Sequence, residues 1–109
     1  MTWFDHHQRS KKLAVAAQSA LGCGDEPGAR RIYAQAAQEA EKALALVPRW
    51  KQVTRGVVAM SAARWWRRAH RSEEAARMAW LIRGAPDLFP GTLSPLDGAV
   101  PAPAPRDRP

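Results

Sequence analysis

Apolar residues recur at helical spacing along the chain from about residue 3 to residue 83, in four segments separated by turn signals. The second segment is the clearest. Ala29, Tyr33, Ala36, Ala40, Ala43 and Val47 follow one another at steps of 4, 3, 4, 3 and 4, with Ile32 and Leu44 widening the stripe. Arg30, Gln38, Glu41 and Lys42 lie off it. A stripe of this width buries one face of a helix against a neighbour. Asp25 is a good N-cap, Glu26 suits the positive end of the dipole, and Pro27 is tolerated in a first turn. Pro48 ends the segment.

The first segment opens at Thr2, with Asp5 three residues on as a capping-box variant. Its stripe is Trp3, Ala14, Ala17 and Leu21, with Leu13 and Ala20 beside it, and Gly22-Cys23-Gly24 stops it. The third runs from about Arg49 to His70 and places Val58, Ala62, Trp65 and Ala69 on one face. Gly56 weakens its middle by about 1 kcal/mol relative to Ala, which points to close packing there. The fourth is capped by Ser72, with Glu73 and Glu74 in its first turn. It carries Ala76, Ala79, Trp80 and Ile82 and stops at Gly84.

These patterns predict an all-α domain over residues 1–83, built as two antiparallel helical hairpins. From residue 84 the grammar changes. Seven of the nine prolines fall at 86, 90, 95, 101, 103, 105 and 109, so 84–109 reads as a Pro-rich, disordered or extended tail. Leu88, Phe89, Leu93 and Leu96 are expected to fold back over the end of the bundle.

Sliding the chain against itself by 47 residues lays Asp25-Glu26 on Ser72-Glu73, Ala29 on Ala76 and Tyr33 on Trp80. Each copy is then one helical hairpin, the unit of an α-solenoid. Ala43-Leu44 followed by Pro48, with Tyr33, Ala36 and Ala40 upstream, resembles the end of a tetratricopeptide repeat. Gly56, Ala76 and Trp80 are placed to act similarly in the second hairpin, and the stretch from Thr54-Arg55-Gly56 to Ser61-Ala62-Ala63 is similar to small bacterial TPR-like proteins. The opening departs from the family pattern, because Trp50-x-x-Val53-x-x-Gly56 has a different spacing. The resemblance, over about residues 10–83, implies a protein-binding scaffold.

At 109 residues the chain has room for one small domain, and 46% hydrophobic with 25% charged residues is a globular balance. Its longest apolar runs fall far short of the roughly 20 residues that cross a bilayer. Asp5, His6, His7, Arg9, Lys11 and Lys12 interrupt the start as no secretory signal does. The single cysteine, Cys23, cannot form an internal disulfide, and a cytoplasmic location is the expectation.

Charge changes the picture. Residues 49–83 carry nine Lys/Arg against two Asp/Glu, which accounts for the whole net charge of +7, and they include Trp50, Trp65, Trp66 and Trp80. Arg64, Arg67, Arg68 and Arg71 stand at i, i+3, i+4 and i+7, the spacing that puts four guanidinium groups on one helix face. Trp65 then points toward the core with Val58, Ala62 and Ala69. Trp66 and Trp50 remain as anchors for a partner, since Trp and Arg dominate interface hot spots. At least one of Trp3, Trp50 and Trp66 is expected to stay partly exposed.

No phosphate-binding loop, Gly-x-Ser-x-Gly or His-Glu-x-x-His stands in the chain. The carboxylates at 25/26, 39/41 and 73/74 read as caps or as a solvated helix face. His6 and His7, adjacent on a helix, point about 100° apart, and Cys23 and His70 stand alone, so no metal site, catalytic residue or cofactor is predicted. The expectation is a non-catalytic adaptor, or a subunit of a larger bacterial assembly, contacting an acidic protein or a second copy through Trp50, Arg64, Trp66, Arg67, Arg68 and Arg71. The alternative is a small basic scaffold of a nucleoprotein complex that contacts nucleic-acid backbone. No small-molecule substrate and no membrane insertion are expected. Membrane-surface contact by 64–71 ranks last, because Trp65 is needed in the core.

Overall fold

The structure, a computed structural model, describes residues 1–84, and the expectations for the Pro-rich tail lie outside the described residues. Four helices, α1 (Trp3–Gly22), α2 (Glu26–Leu46), α3 (Gln52–Arg68) and α4 (Ser72–Gly84), form two antiparallel hairpins, with no strand among the described residues. Each helix packs chiefly on its neighbours in the chain. One groove runs between α1 and α3 and another between α2 and α4, so the helices alternate between two layers.

The helix ends follow local chemistry. Thr2 and Asp5 form a complete capping box at the start of α1. Asp25 caps α2 by accepting the Gly28 N–H at 3.0 Å. At the other end of α2, Arg55 donates to the carbonyls of Leu44 and Val47, satisfying backbone acceptors that the helix leaves open.

The two hairpin turns share one geometry. In the first, Asp25 N–H donates to Ala20 O and Gly24 N–H to Leu21 O, with Gly24 at φ 83°. In the second, Arg71 N–H donates to Trp66 O and His70 N–H to Arg67 O, with His70 at φ 60°. Both are Schellman motifs, the left-handed helix ending usually given to glycine. Gly24 and His70 are therefore equivalent, and the structural offset between the hairpins is 46 (70 minus 24), not 47. Ala29 then matches Ala75 and Tyr33 matches Ala79, all four buried.

Boundaries in the second hairpin differ from the sequence reading. Residues 48–51 form a turn, closed by Lys51 N–H on Pro48 O, and α3 starts at Gln52 rather than Arg49. Ser72 is not the N-cap of α4. It lies in the first turn, and the Arg71 carbonyl accepts the first helical bond, from Ala75.

Thirteen of the nineteen buried apolar residues among those described are alanines, so the helices approach closely and a few larger side chains fill the space between them. The entire α2 stripe from Ala29 to Val47 is buried. One cluster joins Ala37 and Ala40 to Ala62, Trp66, Met78 and Ile82 across α2, α3 and α4. A second joins Ala14 and Ala17 to Tyr33, Ala36 and Ala69, and a third sets Trp3 against Ala43, Val47 and Val58. In α1 the buried line is Ser10, Ala14 and Ala17, while Leu21 is exposed. The Ser10 hydroxyl donates to Ala36 O at 2.7 Å, bonding α1 directly to the α2 backbone.

Candidate docking site

The two adjacent tryptophans of α3 have opposite settings. Trp66, expected at the surface as an anchor, is 4% exposed and packs between α2 and α4. Its indole N–H donates to Glu41 Oε2 at 2.6 Å, and Arg77 reaches the same carboxylate at 2.8 Å. Trp65, expected in the core, is only half-buried and stacks on Tyr33 at 5.8 Å. The reason is the place of α3 in the chain. It packs on α2 and on α4, so it buries more than the one face that the spacing of Val58, Ala62 and Ala69 marks out.

The arginines divide in the same way. The helix ends at Arg68 and the left-handed turn at His70 redirects the chain, so Arg71 does not continue the stripe. Arg71 lies over the Trp66 ring at 5.3 Å and pairs with Glu74 at 2.8 Å. Arg64 and Arg68 lie near the Trp65 ring, and Arg68 near Tyr33 as well. Arg67 is exposed. Trp50 is 76% exposed at the opposite end of α3, on the order of 20 Å from Arg64 by helical rise. Of the six residues singled out, Arg64, Arg67 and Arg68 thus stand together, Arg71 and Trp66 face the other layer, and Trp50 is separate.

Two grooves result, with contrasting electrostatics. The α2–α4 groove, about 510 Å³, is lined by Glu41, Lys42, Trp66, Arg71, Glu74 and Arg77; Arg71 pairs with Glu74 and Arg77 with Glu41, while Lys42 pairs with Glu39 beside it. The α1–α3 groove, about 380 Å³, is lined by His7, Lys11, Val15, Val57, Arg64 and Trp65 among others, and among the described residues no carboxylate borders it. Lys11 and Arg64 supply positive charge from its two walls, while Val15 and Val57 expose apolar surface there.

Among the described residues three buried side-chain polar atoms have no hydrogen-bond partner: His7 Nδ1, Tyr33 Oη and Trp65 Nε1, one from each of the first three helices. Two belong to groove-lining residues and the third to the ring stacked beneath Trp65. Unpaired buried groups are uncommon, and each costs the fold the desolvation of that group. Burial, with Lys11 nearby, lowers the pKa of His7 below its usual value of 6.5.

Sequence reasoning missed two features. Glu39, read as part of a solvated face, is 9% exposed, and its Oε1 lies 2.7 Å from His6 Nδ1. The start of α1 covers it. The α1–α3 groove itself was not visible either, because its walls lie in different hairpins. The two histidines part company, His6 toward Glu39 and His7 into the groove. Among the described residues no group of three or more His, Cys, Asp or Glu gathers in a metal-binding cluster, and no helix is long and apolar enough to cross a membrane. Comparison of the chain with protein-family models, curated proteins and solved structures gives no match.

Proposed function

We propose that this protein is a non-catalytic docking module, TPR-like in its pairing of helical hairpins, and that it holds an acidic segment of a partner protein in the α1–α3 groove. The contrast between the two grooves carries the reading. The α2–α4 groove holds two carboxylates, Glu41 and Glu74, each paired with an arginine, whereas among the described residues Lys11 and Arg64 face an α1–α3 groove without a carboxylate. Arg67 and Arg68 extend that positive field to the end of α3. An acidic amphipathic helix matches such a groove, its Glu and Asp side chains toward Lys11 and Arg64 and its apolar side chains on Val15 and Val57. A bacterial cytoplasmic assembly remains the setting we favour.

The test is a titration of the full chain with a labelled helical peptide of alternating Leu and Glu faces, at about 50 mM salt. Saturable binding that falls about tenfold or more in Lys11→Glu/Arg64→Glu is expected. Equal binding by that double variant removes the groove from consideration. The absence of any Asp or Glu between Lys42 and Ser72 also favours, second, contact with nucleic-acid backbone. A mixed-sequence oligonucleotide that binds and is released steeply between about 50 and 200 mM salt supports that alternative instead.

A further inference from the structure

The ten exposed large apolar side chains among the described residues are not scattered. Six of them, Met1, Phe4, Leu46, Trp50, Val53 and Val57, belong to the start of α1, the end of α2, the connecting turn and the start of α3. These segments meet at one end of the bundle, where Trp3 packs on Val47 and Val58. Trp50 and Val53, at 76% and 78%, are the most exposed of all. Both project from a turn and a first helical turn, so this is a convex tip rather than a groove. Arg49 and Lys51 flank Trp50, and the Lys51 ammonium lies 5.0 Å from its ring centre. The carboxylate of Asp5, at the same end, is engaged by Thr2.

We propose that this tip rests on the surface of an anionic lipid bilayer, with the Trp50 ring and Val53 at headgroup level and Arg49 and Lys51 against lipid phosphates and carboxylates. Several observations favour a lipid surface over a folded partner or a nucleic acid. A protruding apolar tip needs a matching pocket on a protein but none on a fluid interface. Trp combines an apolar body with an N–H that suits the headgroup boundary. Basic residues beside it gain from the surface potential of anionic lipids. Phe4, Leu46 and Val53 add apolar area that a phosphate backbone does not use. No segment crosses the bilayer in this arrangement, which is a peripheral contact. It differs from contact through 64–71, whose tryptophans are engaged in packing.

This surface shares only Val57 with the α1–α3 groove, and none of the test substitutions touches that residue, so the two readings stand or fall independently. The test is co-sedimentation of the full chain with phosphatidylcholine vesicles, with or without about 30% phosphatidylserine. Sedimentation with the anionic vesicles only, weakening with salt, is expected. Trp50→Ser/Val53→Ser and Arg49→Gln/Lys51→Gln should each reduce the bound fraction about fivefold or more, while Lys11→Glu/Arg64→Glu should retain most of it. Arg49, Trp50 and Val53 are exposed and Lys51 is half-buried, and unchanged circular dichroism and melting temperature establish that the variants fold. Failure to sediment at about 50 mM salt, sedimentation equal on neutral vesicles, or equal sedimentation of Trp50→Ser/Val53→Ser overturns the proposal. So does binding of a single-stranded oligonucleotide through Trp50 without lipid binding.

Discussion

The indole N–H of Trp66 and the carboxylate of Glu41 meet at 2.6 Å, tying the largest side chain buried in α3 to the surface of α2. Arg77 of α4 completes the link at 2.8 Å, so one carboxylate joins three helices. Glu41→Ala leaves the indole N–H without its acceptor and Arg77 without its partner. A loss of about 1–2 kcal/mol is expected in urea unfolding. Trp66→Ala, which empties the cluster around Met78 and Ile82, should cost about 3–5 kcal/mol. Comparable losses for the two variants would contradict the packing described.

The His6–Glu39 pair gives stability a definite pH dependence. Burial raises the Glu39 pKa, but hydrogen bonds from His6 and Lys42 outweigh it, and the net position is below the usual 4.5. A carboxylate depressed in the folded state stabilises the fold above its unfolded value, and that contribution disappears as pH falls through the folded value. Thermal melts from pH 6 down to pH 3 should show this loss, and Glu39→Gln should make the profile flatter over about pH 3–5. A slope unchanged by the substitution would place the acid sensitivity elsewhere.

His70 holds the left-handed position that Gly24 fills in the other hairpin. That conformation costs an ordinary L-residue roughly 1–2 kcal/mol, and glycine gives part of the gain back in unfolded-state entropy. His70→Gly should therefore raise stability by about 0.5–1 kcal/mol, or several degrees in melting temperature for a domain of this size. Gly24→Ala should lower it by a similar amount. A destabilised His70→Gly would mean that the imidazole makes a contact of greater value than the strain it relieves.

Tryptophan accessibility can be read directly. Acrylamide should quench Trp50 most strongly and Trp66 least, following exposures of 76% and 4%. Removing Trp50 as Trp50→Phe should leave the remaining emission shifted to shorter wavelength and harder to quench. If Trp66→Phe has that effect instead, the settings of these two rings are interchanged.

Much of the fold was legible because α2 spans the hairpins with one regular stripe, and because Thr2, Asp25, Pro48 and the glycines before Asp25 act through their immediate neighbours. The turn after α3 was harder to read. Its left-handed residue is a histidine, and no glycine marks the end of the helix. The i, i+3, i+4, i+7 spacing of the arginines therefore suggested a continuous face that stops at Arg68. Periodicity also assigns a helix one buried side, whereas α3 contacts a helix on each of two sides, and Trp65 and Trp66 were exchanged for that reason. Ser10 and Glu39 escaped notice because polar residues become buried only when a segment distant in sequence lies over them. At least one of Trp3, Trp50 and Trp66 was expected to stay partly exposed, and Trp50, in the turn after Pro48, is the most exposed of the three.

The alanine-lined contacts have a thermodynamic consequence. Methyl groups remove little area from water, so melting exposes less apolar surface than an equal length of Leu- and Ile-rich bundle. The heat-capacity increment should fall below the usual 12–15 cal/mol/K per residue or so. Stability then varies gently with temperature, and the chain should resist cold better than its modest interior suggests.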